Sequence, residues 1–186
     1  LLRRFSFLLF EAEQGKYHLH DLLRGFAQNK LSEDENKNTH FLHAQHYYEV
    51  MKSADYLYMQ GSENILHGLK LFDLEIVHIL KANNWLTHHM QKSRDIAQLR
   101  NYKTIPFCMR LRMHPRKQIE WLENALKASR ITRDKEGEGI HLGNLGLAYA
   151  DLGEVQKAIE FYEQHAEISR EIGDRRGEGN ALGNLG

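Results

Sequence analysis

Twelve histidines and a single cysteine are the side chains here with the widest chemical reach, since an imidazole can bind a metal or move a proton and a thiolate can attack. His40, His43 and His46 recur at steps of three. Each such step turns a helix by about 300°, so the outer two diverge by about 120° and do not converge on one ion. His88 and His89 are neighbours that point apart, and His18 shares a strand face with His20 only if the strand runs through both. Cys108, between Phe107 and Met109, reads as a packing residue in an apolar patch. Glu160, Glu163 and Glu167 form a solvated ladder opposite Lys157, Gln164 and Arg170. No string Gly-x-x-x-x-Gly-Lys-Ser/Thr occurs, so nothing in these residues cradles a triphosphate. This stretch is therefore read as non-enzymatic, with no catalytic or metal-binding residue.

One imidazole stands apart. Residues 6–11 and 16–19 read as short strands, joined through Ala12-Glu13-Gln14-Gly15 into a hairpin. A helix follows at once, with Leu22, Leu23, Phe26 and Ala27 on one face and Asp21 at its positive start. His20 sits at that corner, where an imidazole can donate to a phosphate oxygen or simply hydrogen-bond the helix start.

The string Tyr17-His18-Leu19-His20-Asp21-Leu22-Leu23-Arg24 resembles the Met-His-Asp motif of nucleotide-binding switch proteins. These are the NB-ARC or STAND class that includes the apoptosis protease-activating factor and plant resistance proteins. Leu19 replaces the Met. The resemblance implies that residues 1–31 end a winged-helix domain and that His20 contacts the β-phosphate of ADP. It also implies that ADP or ATP is bound by an intact protein whose nucleotide core lies upstream, while this stretch alone holds no cofactor. The intact protein would then be an ATPase. Ala44-Gln45-His46-Tyr47-Tyr48, Phe72-Asp73-Leu74-Glu75 and Trp121-Leu122-Glu123-Asn124-Ala125-Leu126 extend the likeness to bacterial switch ATPases with tetratricopeptide arms.

The elements after the hairpin are helical. Ser32 to Asn38 is polar and opens with a capping residue, marking a boundary and a helix start. Phe41, Ala44, Tyr48 and Met51 then keep one face apolar, predicting a helix to about Tyr58. Gly61 and Ser62 break it, and Ile65, Leu66, Leu69, Phe72, Ile76, Ile79, Leu80 and Trp85 carry a second helix towards His88-His89. Over 93–113 the pattern fades, with Pro106 expected to interrupt or kink what forms. His114-Pro115 restarts a helix striped by Ile119, Leu122, Leu126 and Ser129.

The decamer Gly137–Gly146 returns, with changes at only two positions, as Gly177–Gly186, forty residues on. Segments 117–146 and 157–186 agree at about half their positions, the signature of stacked repeats whose apolar faces are covered by neighbours. Helices are expected over 116–133, 139–151 and 154–172, with another from 178. Leu142, Leu145, Gly146, Tyr149, Ala158 and Tyr162 fall at the spacings of the tetratricopeptide (TPR) pattern. Gly153 provides the left-handed cap. The forty-residue form resembles the Leu-Gly-Asn and kinesin-light-chain branch. There, an asparagine directly after the Leu-Gly pair grips an extended partner; here that position is Leu147, and Asn144 precedes the pair.

The fold expected is mainly α: a winged-helix remnant over 1–31, a helical arm over 32–114, and a TPR α-solenoid over 115–186 with one degenerate, one full and one truncated repeat. Twenty-five basic and twenty-five acidic residues cancel, which removes the field that draws nucleic acid or anionic lipid. The apolar run Phe5–Phe10 is far short of the ~20 residues that span a bilayer, and reads as a buried strand. A lone cysteine suits the cytoplasm. Opening on Leu1 and stopping at Gly186 inside an expected helix, the chain reads as a piece of something longer, whose intact form can oligomerise. The function expected is the regulatory and protein-interaction arm of a nucleotide-dependent switch, with a protein partner on the TPR surface. The alternative is a nucleotide-independent TPR adaptor. DNA binding ranks last, because Leu22 to Lys30 offers only Arg24 and Lys30 as cations.

Overall fold

A computed structural model describes residues 8–11, 16–19, 21–102 and 106–186. Among them the chain is mainly α, with two short strands, β1 (Leu8–Glu11) and β2 (Lys16–Leu19). The helices are α1 (Asp21–Lys30), α2 (Glu33–Met59), α3 (Glu63–His89), α4 (Arg94–Arg100), α5 (Phe107–Arg112), α6 (Pro115–Thr132), α7 (Lys135–Asp151), α8 (Val155–Ile172) and α9 (Arg175–Leu185). The chain divides into two compact units, Leu1–Leu42 and His43–Gly186.

In the first unit β1 and β2 pair antiparallel, with Leu8 opposite Leu19 and Glu11 opposite Lys16. Phe10, read above as part of a buried strand, is 48% exposed. Ser32 starts α2 through a reciprocal cap: its backbone N–H donates to the Glu35 carboxylate at 2.9 Å, and the Glu35 N–H donates to its hydroxyl at 3.3 Å. The Ser32 backbone N–H and, after it, the Ser32 hydroxyl at 2.8 Å donate to the Glu35 carboxylate and hold it below its usual range.

In the second unit, α2 and α3 meet after a sharp break at Gly61 (φ 75°) and Ser62 (φ 51°), both left-handed. Gly68 marks their closest approach, since a Cβ there would strike the backbone of Ala54 and Tyr58. Met51, Ala54, Phe72, Ile79, Cys108, Met109 and Trp121 form one core. Leu66 and Leu80, expected on the buried stripe of α3, are instead 61% and 38% exposed. The apolar run of α3 is wider than the face its neighbours cover.

The described residues of the segment 93–113, whose apolar pattern fades, hold two short helices, α4 and α5. Pro106 does not kink a helix but precedes the first turn of α5, where its missing N–H costs nothing. The Asp55 carboxylate, reaching across from α2, accepts from the Cys108 N–H at 3.0 Å and so caps α5. Arg100 ends α4 fully buried. It donates to Thr87 Oγ1 at 3.1 Å and to the Trp121 carbonyl at 2.7 Å, with its guanidinium 4.7 Å above the Trp121 ring. Burial brings it down to about 10, so it remains charged at neutral pH.

From α6 onward each helix packs on the next. Ile119, Leu122, Leu126, Leu142, Leu145, Tyr149, Ala158, Tyr162 and Ile168 make a second core. Expected helix starts at 139 and 178 move back to Lys135 and Arg175, because Asp134 and Asp174 cap the turns ahead of them. The forty-residue repeat is a repeated corner. Asp134 accepts from the Gly137 N–H and Asp174 from the Gly177 N–H, each at 2.9 Å. The Asp134 N–H returns to the Ser129 carbonyl at 2.9 Å, as the Asp174 N–H does to Ser169 at 2.8 Å. Arg130 bridges Glu138, and Arg170 bridges Glu178. Arg170, placed above in the α8 ladder, thus reaches across the corner, and Lys157 reaches back to Glu154 instead. The left-handed residue ending the preceding helix is Gly173 in one corner and Arg133 in the other.

Candidate functional site

The six residues singled out at repeat spacing lie in the interior. Leu142, Leu145, Tyr149, Ala158 and Tyr162 share the second core, and a Cβ on Gly146 would enter the Tyr162 ring. Gly146 is therefore small for a side chain rather than for a close backbone approach. Gly139, Gly143 and Gly146 form a row on α7 that receives Ile168, His165 and Tyr162 in reverse order, which sets α7 and α8 antiparallel. These residues build the scaffold and leave its surface to others.

That surface is a furrow of about 820 Å³ between α7 and α9. From α7 come Glu136, Ile140, Asn144 and Leu147, at the spacing of a single helix face; from α9 come Arg176, Asn180 and Asn184; His165 and Asp174 lie between. Asn144 and Asn184 are repeat equivalents. The side-chain amides of Asn144, Asn180 and Asn184 make no hydrogen bond among the described residues, so each offers both donor and acceptor to an incoming chain. Leu147 is 43% exposed beside Asn144. Burial pushes the His165 imidazole below its usual value, and its Nδ1 is buried against Gly143 of α7 without a hydrogen-bond partner.

Leu147 and Asn144 also line a second hollow, of about 470 Å³, so that these two residues border both. It is walled by Tyr56 and Met59 of α2, Phe107 and Arg110 of α5, and Gln118 of α6. Sequence reading missed this part because its walls come from helices far apart in the chain. Tyr56 and Met59 stand three apart on one face of α2, but that face is not the buried stripe of the helix.

Several other reactive side chains are already engaged. Burial pushes the Cys108 thiol up to about 11, so it is a thiol at neutral pH and its Sγ lies 3.7 Å from the Ala54 carbonyl. His78 stacks on Tyr47 at 4.8 Å, and His43 flanks the same ring at 4.6 Å. His88 and His89 donate to the Asn84 and Trp85 carbonyls. His141 donates to Asn101 Oδ1 at 3.1 Å. Among the described residues no three His, Cys, Asp or Glu side chains gather to hold a metal ion. His20 lies outside the described residues.

The furrow can do what hydrogen-bonding amides and apolar flanks allow, which is to hold an extended chain by its backbone and by alternate side chains. No helix among the described residues is long and apolar enough to cross a membrane. Models of known protein families give no match to this chain, and no curated protein matches it.

Proposed function

We propose that this chain is the regulatory and protein-interaction arm of a nucleotide-dependent signalling switch, in which tetratricopeptide-type helices α6–α9 offer the partner surface. The observation that carries the interaction role is the furrow with three unengaged amides, two of them on α9 and one at the repeat-equivalent place on α7. The repeated Asp-capped corners support a solenoid of like units, since identical corners give each pair of helices the same turn. The nucleotide dependence rests on the likeness of residues 17–24 to the switch motif, and with it the winged-helix assignment and the ADP contact of His20. Coupling then requires two arrangements of the protein that nucleotide and partner stabilise unequally.

Random octapeptides displayed on phage test the furrow. The chain should enrich a family of them, Asn144→Ala with Asn184→Ala should remove that enrichment, and Glu163→Lys with Glu167→Lys on the exposed face of α8 should keep it. Enrichment indifferent to the asparagines would end the furrow assignment. In the intact protein, His20→Ala should speed release of a fluorescent ADP. Unchanged release would leave the nucleotide-independent adaptor.

A further inference from the structure

The hollow at the arm end of the furrow has a chemistry of its own. Tyr56 is 66% exposed, Met59 68% and Phe107 41%, and all three line one open hollow together with Leu147. Apolar side chains are more often exposed singly, so their convergence is informative. The walls are also fixed. Phe107 stacks on Tyr58 at 5.8 Å, and the Asp55 cap holds the first turn of α5 that carries both Phe107 and Arg110. A preformed wall costs an incoming side chain little ordering.

The rim sets the charge preference. Lys52 is engaged with Glu49 at 3.0 Å, and the Asp55 carboxylate is turned to the α5 backbone. Arg110 is exposed and has no ion pair among the described residues, although its neighbour Arg112 is held by Asp73 at 2.7 Å. The cation presented at the mouth of an apolar hollow is thus Arg110, whose planar guanidinium suits a carboxylate. Asp151, exposed on the same rim, sets a limit on the negative charge that can be accommodated.

From this we infer that the arm-end hollow is a specificity pocket for an extended segment of a partner protein, taking a large apolar side chain, aromatic or methionine-like, directly beside an acidic residue that pairs with Arg110. The inference rests on the furrow reading above, because the same segment continues over Asn144 towards α9. A volume of about 470 Å³ accepts one aromatic side chain with its neighbouring residue. Recognition in this way is shared between two structures: the amide row of α7 and α9 takes any backbone, and the arm decides which sequence fits.

The test reads the composition of the enriched octapeptides and then measures binding of one of them, synthesised with a fluorescein label, by polarisation. The expected family shares a Phe, Tyr, Trp, Met or Leu with an Asp or Glu at an adjacent position. Arg110→Glu should weaken the acidic peptide about tenfold or more and improve a version carrying Lys in place of the acid. Met59→Glu should weaken both versions. Both substitutions are at exposed positions, and an unchanged far-ultraviolet circular dichroism spectrum checks the fold. Peptides lacking the apolar-acidic pair, or affinities within about twofold after Arg110→Glu, would overturn the pocket. If the Asn144→Ala and Asn184→Ala effect persists in that case, the furrow stands without it. Loss of both effects removes the furrow as well. A concentration-dependent dimer in sedimentation that Met59→Glu abolishes would also overturn the assignment, by giving the pocket to a second copy of the chain.

Discussion

Gly143 and Gly183 sit in the same pentapeptide, Leu-Gly-Asn-Leu-Gly, on equivalent helices, yet their replacement by Ala should have opposite signs. In either helix Ala gains about 1 kcal/mol over Gly through backbone entropy. At Gly183 that gain stands alone, because a Cβ meets nothing within 4 Å. At Gly143 the same Cβ would lie 2.8 Å from His165 Nδ1 and 3.0 Å from Cε1. The ring must shift to make way for that Cβ, and the overpacking cost of about 1–3 kcal/mol outweighs the gain. The net expectation is a loss of about 1 kcal/mol for Gly143→Ala and a gain of about 0.5–1 kcal/mol for Gly183→Ala. Urea unfolding followed by circular dichroism reads both, with the slope unchanged. Equal shifts of the same sign would refute the placement of His165 against α7.

Other expectations follow from the corners and caps. Asp134→Ala should cost about 2–3 kcal/mol and Asp174→Ala only about 1, because each loses a cap but Asp134 also accepts from Asn101 Nδ2 at 2.8 Å; near-equal costs in denaturant titration would contradict this. Arg133→Gly should stabilise by up to about 1 kcal/mol by relieving a left-handed non-glycine residue, and a thermal scan showing a lower midpoint would count against it. Burial raises the Asp55 carboxyl above its usual range, so that its contribution favours folding below the ordinary aspartate value and is lost as pH rises through the raised one. Asp55→Asn, which keeps an acceptor for α5, should therefore gain stability relative to the native chain as pH rises from acid to neutral. A difference that stays flat across that range would contradict the burial of this group.

How much of this was written in the residues differs by element. The helices over 33–59 and 63–89 announce themselves through spacing, and Gly61-Ser62 marks their break, since few residues tolerate that backbone. The repeat shows at once, but its corner does not. Asp134 and Asp174 stand three residues ahead of the matching glycines, a signal present in the sequence but carried by polar positions outside the apolar periodicity. Burial within equivalent positions was not legible: Leu142 is 1% exposed and Leu182 49%, although both open the same Leu-Gly-Asn-Leu-Gly. That difference depends on which helices flank α7 and α9, a tertiary fact. The split of 93–113 into α4 and α5 rests on Arg100 and Asp55, whose partners lie in distant helices and leave no periodic trace.

The furrow itself is tested most directly by nuclear magnetic resonance of the side-chain amide protons of Asn144, Asn180 and Asn184 during titration with an octapeptide selected by this chain. All three amides are expected to shift together and to saturate with the affinity measured by polarisation. Shifts confined to the exposed face of α8 around Glu163 and Glu167, with the three amides unmoved at saturation, would contradict it.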